Sequence, residues 1–588
     1  MNLFKIRQWK CFIAIPVSFI LSYVFLHQPK KVISNAFLTA KRKDRPPSSI
    51  RKLIQSPYPI VSSASIPQQD SIEWRTMETM DVLDVKGDRV FFLIASPWNY
   101  FQSQLTLTEM KMEEEMTASH HPDISIVPNT DSSKSEYLMK RDYPSISPFF
   151  PCYRTFEASY QTMEDLANQY PSLVDVISIG PTYLKSINEG GHEMKVLKLT
   201  NSMSSFESTK SHMFVICSLH AREITPAEVC ARFAETMVND FGVDSDTTWI
   251  MNHTEIHIIL QANPDGREYE ENHLFRYKRK NMNTPYCCKG TNGGVDLNRN
   301  FPHSKWTASD DFFGPCSQGW PGKAAASEKE TQAIVNYMES IIPPGTNPVD
   351  PDSGAFTIDS SGVMMDIHSS GELFYWPYSS DSVALAPNKV DLFALGKKLA
   401  SFTTPRYRSD NISPFENGAR GVTTHYTYEQ LGVPGYTIEL GTAFYEKCDY
   451  FETYVLGSAK RSLFYLARVS KAPYQFPKGP EVMSISITQN DSTVEVNSII
   501  SDSERALGYS TGNQNIVSVE LFLDSHPYDT NSTFYDQVSD NFNNSTSAEV
   551  IFNIPFIDLN SGQHILYLQA HDTGGPGPVY SAFFETSE

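Results

Sequence analysis

His220-Ala-Arg-Glu223, with His368 about 145 residues further on at the end of an apolar run, supplies two imidazoles and one carboxylate. That is the three-protein-ligand set of a metal ion whose fourth coordination position stays open to water or substrate. His-x-x-Glu alone carries little weight, since a chain with fifteen His holds roughly one by chance. Taken singly, His220 reads as a strand-end histidine and His368 as a satisfied core one. The surrounding motifs change that reading. Asn263-Pro-Asp-Gly266, Arg279-Lys-Asn281, Asp296-Leu-Asn-Arg-Asn300 and Tyr436-Thr-Ile-Glu-Leu440 follow in order. Glu439 lies in an otherwise uncharged strand-like run, where a carboxylate is expensive to bury unless it is used or paired. Asn298 and Arg299 place an amide beside a guanidinium, a combination suited to bidentate recognition of a carboxylate.

In combination and order, these motifs resemble those of the zinc carboxypeptidase family (carboxypeptidase A/T-like) between about Cys152 and Pro473. The resemblance implies that His220, Glu223 and His368 hold one Zn2+ per chain and that Asp296 orients His220. It makes Glu439 the general base that activates water, and Arg279 the partner of the oxyanion. Arg276 and Lys278 crowd the Arg279 assignment, and a solvated basic patch is the alternative there. Asn298, Arg299 and Arg222 would bind the substrate and its terminal carboxylate, and Thr424 would floor the specificity pocket. No acid stands at Thr424, so neutral or apolar C-terminal residues are expected unless Glu416 or Glu429 reaches in. The sequence departs from the family at Asn417, where a mobile tyrosine is usual, and that puts closure over the substrate in doubt. His425 also replaces a residue that is often Asp in relatives.

These residues need a scaffold, and the chain alternates strand and helix patterns from Cys152 onward. Val174–Gly180, Met194–Leu199, Met213–Leu219, Glu255–Ala262, Gly362–Ile367 and Val433–Leu440 read as strands. Glu157–Tyr170, Thr225–Val238 and Ser327–Met338 read as helices, with Thr225 as N-cap and Pro226 in the first helical position. Such alternation predicts an α/β fold, a mixed sheet with helices on both faces. The chemistry-bearing residues fall at carboxyl ends of strands, where these sheets bind ligands. Past Tyr474 the pattern becomes all-β. Ser484–Thr488, Val517–Leu523, Ala548–Phe552 and His564–Ala570 alternate between turn-rich segments, which suggests a C-terminal β-sandwich of the immunoglobulin or fibronectin kind.

The chain has 588 residues, too many for one ordinary core. The expected divisions are 1–30, a signal peptide or anchor; 31–148, a linker or pro-segment; 149–473, the catalytic domain; and 474–588, the sandwich. In the first, Lys5, Arg7 and Lys10 precede an apolar run from Cys11 to Leu26, shorter than the ~20 residues of a spanning helix. In the second, Asp88–Ala95 and Asp123–Val127 read as strands and Leu105–Met116 as a helix, with Lys140-Arg141 a candidate processing site. A net charge of −20 lacks the basic field a nucleic-acid surface needs. Among the cysteines, Cys152 with Cys448 and Cys287-Cys288 with Cys316 are candidate staples. Cys217 and Cys230 sit in apolar segments and read as buried free thiols. No Cys-x-x-Cys is present, so neither a structural zinc site nor a redox motif is expected.

The reading is a secreted or surface-anchored zinc carboxypeptidase acting on peptides or proteins with a free C-terminal carboxylate. It contacts a membrane only through an uncleaved N-terminal segment, and the sandwich's partner is unknown. Two rivals stand beside it. One is a hydrolase of modified or cell-wall peptides, the other a catalytically silent zinc-binding or adhesion protein.

Overall fold

The computed structural model describes three strands between residues 60 and 94, and residues 143–586 apart from internal stretches, the longest being 205–209, 307–313, 379–385, 411–419 and 503–513. The expected leader, the helix at 105–116, the strand at 123–127 and the Asn417 loop lie outside the described residues. No helix among the described residues is long and apolar enough to cross a membrane.

The chain divides into two compact units, Met1–Asp123 and Ile124–Glu588. In the first, strands β1 (Ile60–Ser65), β2 (Met80–Lys86) and β3 (Arg89–Ile94) form an antiparallel sheet in the order β1-β3-β2.

The second unit holds an eight-stranded mixed sheet. Its strands are β4 (Val174–Pro181), β5 (Glu193–Leu199), β6 (Ser211–Cys217), β7 (Thr254–Ile259), β8 (Val363–His368), β9 (Leu373–Tyr375), β10 (Arg408–Asp410) and β11 (Gly435–Glu439), ordered β10-β9-β11-β8-β6-β7-β5-β4. The central strands β7, β6, β8 and β11 run parallel. Parallel strands covered on both faces should be apolar almost throughout. Accordingly, every residue of β8 is buried, and all of β6 except His212. Helices α1 (Phe156–Gln169) and α2 (Thr225–Asp240) build the core on one face with Met213, Val215 and Met365. Helix α3 (Lys329–Ile341) covers the other with Phe214, Ile216 and Met364. Helix α2 begins at Thr225 with Ile224 in the cap position, one residue earlier than expected.

Cys217 ends β6 and Cys230 lies in α2, and the two form a disulfide, with Cα atoms 6.9 Å apart. The expectation of free thiols was wrong because the α2 turn folds straight back over the strand end. Cys152–Cys448 and Cys288–Cys316 are also bridged.

The last part of the chain is antiparallel throughout. A three-stranded sheet (Glu481–Gln489, Thr493–Ser501, Ser547–Pro555) and a four-stranded one (Ile516–Leu523, Asp536–Val538, Gly562–Asp572, Gly575–Thr586) share an apolar core that includes Val496, Leu521, Phe552 and Leu568. Thr493–Ser501, Asp536–Val538 and Gly575–Thr586 were not anticipated from sequence. Buried Arg468 joins this sandwich to the α/β part, pairing with Asp246 at 2.6 Å and donating to the Val579 carbonyl at 2.7 Å.

Candidate active site

The chain leaves β6 through Ser218, at φ 60° in the left-handed region that non-glycine residues seldom adopt, and turns into His220. Asn263 holds this turn. It caps the following helix (Pro264–Asn272) by accepting from Gly266 N at 3.2 Å, while its Nδ2 donates to the Leu219 carbonyl at 3.1 Å. A Cβ at Gly266 would fall 2.6–2.8 Å from the Asn263 amide, so the motif needs glycine there. Ala221 N in turn donates to the Arg279 carbonyl at 3.1 Å, lacing the His220 turn to the basic segment.

The buried side chains of His220, Glu223 and His368 converge. His220 Nδ1 lies 2.8 Å from Glu223 Oε1, His368 Nδ1 is 2.8 Å from Glu223 Oε2, and the two Nδ1 atoms are 3.0 Å apart. Behind the rings, His220 Nε2 meets Asp296 Oδ1 at 3.1 Å and His368 Nε2 meets Asp366 Oδ2 at 3.0 Å. Each carboxylate favours a proton on Nε2, which leaves the Nδ1 lone pair facing the shared point. Burial alone would raise the Glu223 carboxyl, but His220 and His368 hold it well below its ordinary range. Burial likewise opposes ionisation of Asp296, and Arg279 and His220 override it. Three carboxylates around two imidazoles make a strong local field for a cation, and the inward donors fit zinc chemistry.

Asp366 was not identified from sequence. Its signal was available, since a carboxylate inside an otherwise apolar buried strand, two residues before His368, shares that histidine's face. Thr423 was missed as well. Its hydroxyl donates to Asp366 Oδ2, and its backbone N donates to Asn298 Oδ1 at 3.0 Å.

The four neighbouring cations separate cleanly. Arg276 is exposed. Buried Lys278 donates to the Gly290 and Gly293 carbonyls, and Lys280 to those of Pro315 and Ser317. Of the four, Arg279 faces the cluster, with two nitrogens on Asp296 Oδ2 (3.1 and 3.0 Å) and Nη1 3.9 Å from Glu223. Asn281 fixes this segment by donating to Glu328 and Glu330 and accepting from Val295 N.

Glu439, half-buried, is the last residue of β11 and lies in register with His368 on parallel β8. Asn298 Nδ2 is 3.0 Å from His368 Nε2, and Arg299 Nη1 donates to the Asn298 carbonyl at 2.6 Å. The Arg222 guanidinium stacks 4.3 Å from the Phe444 ring centroid. Thr424 is buried near the start of the helix Thr423–Leu431. Glu429 is engaged by Ser304 and lies 3.3 Å from His303 Nε2. The His425 ring packs 4.9 Å from that of His303.

The family model described as zinc carboxypeptidase matches residues 159–456. Rat carboxypeptidase A1 is 26% identical over 328 residues, covering 54% of this chain and 69% of its own length. Bovine carboxypeptidase B is 27% identical over 294 residues, covering 49% and 63% respectively. A crystal structure of carboxypeptidase A from Helicoverpa armigera aligns at 20% identity and a TM-score of 0.46, over 68% of this chain and 93% of that one.

Proposed function

The chain belongs to the zinc carboxypeptidase family and is a metallocarboxypeptidase, and on that footing we propose that it releases single neutral or apolar residues from the C-termini of peptides. The observation that carries this reading is the convergence of His220, Glu223 and His368 at the carboxyl ends of β6 and β8, with Glu439 in register beside them.

His220, Glu223 and His368 would hold the zinc, with Asp296 and Asp366 keeping the two rings turned Nδ1-inward. Bound there, zinc supplies Lewis acidity toward the scissile carbonyl and acidifies water. The Glu439 carboxylate takes the proton of the attacking water and returns it to the leaving amine. Arg279 stabilises the oxygen on which negative charge grows, from a guanidinium already oriented by Asp296. Asn298 and Arg299, with Arg222, hold the terminal carboxylate, which confines cleavage to the chain end. Thr424 offers no countercharge and Glu429 is engaged by Ser304 and His303, which supports the preference for neutral or apolar terminal residues.

The disulfides fit an oxidising compartment. With the N-terminal apolar run, they support a secreted or surface-anchored protein, in which residues 31–148 would be a linker or a pro-segment. The test is to incubate the full chain, and the chain cleaved after Arg141, with peptides that differ only in their last residue. Chelator-sensitive loss of single apolar residues, absent from C-terminally amidated peptides, is the expected result. No loss from any free-carboxylate peptide, with zinc bound, would refute the activity, and equal loss of Lys or Arg would refute the pocket.

A further inference from the structure

His212, Glu255 and His257 form a second His-His-Glu cluster at the other end of the sheet. His212 is the second residue of β6, and Glu255 lies opposite it in the parallel register of β7, two residues before His257. All three side chains fall on the face that α3 covers. His212 Nδ1 is 3.3 Å from His257 Nε2, and Glu255 Oε2 is 3.6 Å from each of those nitrogens. Zinc bonds of 2.0–2.2 Å in a tetrahedral site require donor atoms about 3.3–3.6 Å apart, and the triangle has those dimensions.

The surroundings suit a metal as well. His257 Nδ1 lies 2.8 Å from Tyr337 Oη, a hydroxyl that accepts a proton from Nδ1 when the ring turns its Nε2 lone pair to the triangle. Phe214 stacks on the same ring with centroids 5.1 Å apart. Lys198 Nζ approaches Glu255 Oε1 at 3.5 Å, so the other oxygen is the one turned to the histidines. Burial keeps both rings below their ordinary imidazole range, in the neutral form that binds metals. The His212 ring and Glu255 are 23% and 13% exposed, which leaves a solvent route to a fourth position.

We propose that His212, Glu255 and His257 bind a second divalent cation, zinc, which clips β6 to β7 at the end of the sheet opposite the catalytic cluster. Binding requires that the neutral rings carry their protons on His212 Nε2 and His257 Nδ1, leaving His212 Nδ1 and His257 Nε2 as the donors.

The probe is zinc alone, added to the full chain at buffered concentrations, with bound metal counted by atomic absorption. The unsubstituted chain is expected to hold one equivalent more than His212→Asn or Glu255→Gln, while turnover in those variants is unchanged. His368→Ala is expected to lose only the other equivalent. Zinc should also suppress acylation of His212 by diethyl pyrocarbonate in the unsubstituted chain, a readout that survives even if a variant fails to fold. Equal zinc content in the unsubstituted chain and His212→Asn, or acylation of His212 undiminished by zinc, would overturn the proposal.

Discussion

One strand carries a cluster near each end. At the carboxyl end of β6, His220 and Glu223 lie on a turn and meet His368 from β8, with donor atoms 2.8–3.0 Å apart. Near the amino end, His212 and the β7 residues Glu255 and His257 stand 3.3–3.6 Å apart. The ligand types are the same, but what stands behind them differs. Asp296, Asp366 and Arg279 charge the surroundings of the first, whereas the second has a neutral phenol, Tyr337, and an apolar ring, Phe214, behind His257, with the single cation Lys198 on Glu255. The first also has a carboxylate, Glu439, one strand over and in register. The lesson is that the three ligands do not make a hydrolytic site. A base, an oxyanion partner and a carboxylate clamp have to be delivered to the same end of the sheet.

The largest effect should come from removing the proposed base. Glu439→Gln is expected to lower kcat by about 10²–10⁴-fold while total zinc, at both ends, stays as it was. A comparable loss of zinc would mean that Glu439 helps hold the metal, and the two clusters would no longer differ in the way described.

Next comes the framework that supports only one end. Glu330 accepts from Asn281 and from Tyr183 N, and burial pushes its carboxyl up to about 7 from an ordinary 4.5. A raised carboxyl favours the fold below pH 4.5, and that contribution drains away as pH climbs through about 7, roughly 3 kcal/mol in all. Glu330→Gln should therefore flatten the fall in unfolding midpoint between pH 5 and 8 without altering zinc binding at His212. A slope unchanged from the parent chain would show that Glu330 is ionised in the folded state.

Smaller effects distinguish the outer partners. Asp366→Asn is expected to weaken zinc at the catalytic end by about 10–100-fold in chelator competition. Tyr337→Phe should weaken the opposite end by less, since the phenol only orients its ring and carries no charge. If the two substitutions cost the same, the charge behind the catalytic ligands does not distinguish the sites.

Much of the α/β sheet could be read in advance because buried parallel strands write themselves as apolar runs, and the β6 and β8 segments were found within two residues of their ends. The residues that converge were singled out through local motifs, each of which the structure explains by a contact, such as Asn263 capping its helix while holding the Leu219 carbonyl. Where pairing depends on register between distant segments, the sequence is silent. His212 and His257 are 45 residues apart with no motif joining them. Cys217 and Cys230 were misread for the same reason, since apolar flanks report burial and not proximity. Of the three unanticipated sandwich strands, Thr493–Ser501 and Gly575–Thr586 mix serine, asparagine, glycine and proline into their alternation, which blurs the period, and Asp536–Val538 is too short to show one.

The bridge between Cys152 and Cys448 closes a covalent ring that contains every strand of the eight-stranded sheet and both histidine clusters. Closing a loop of that size removes about 5–6 kcal/mol of freedom from the unfolded chain. It also means that a single cut in any exposed turn inside the ring releases nothing. The nicked molecule would migrate as one species until its disulfides were reduced, and only then fall into two.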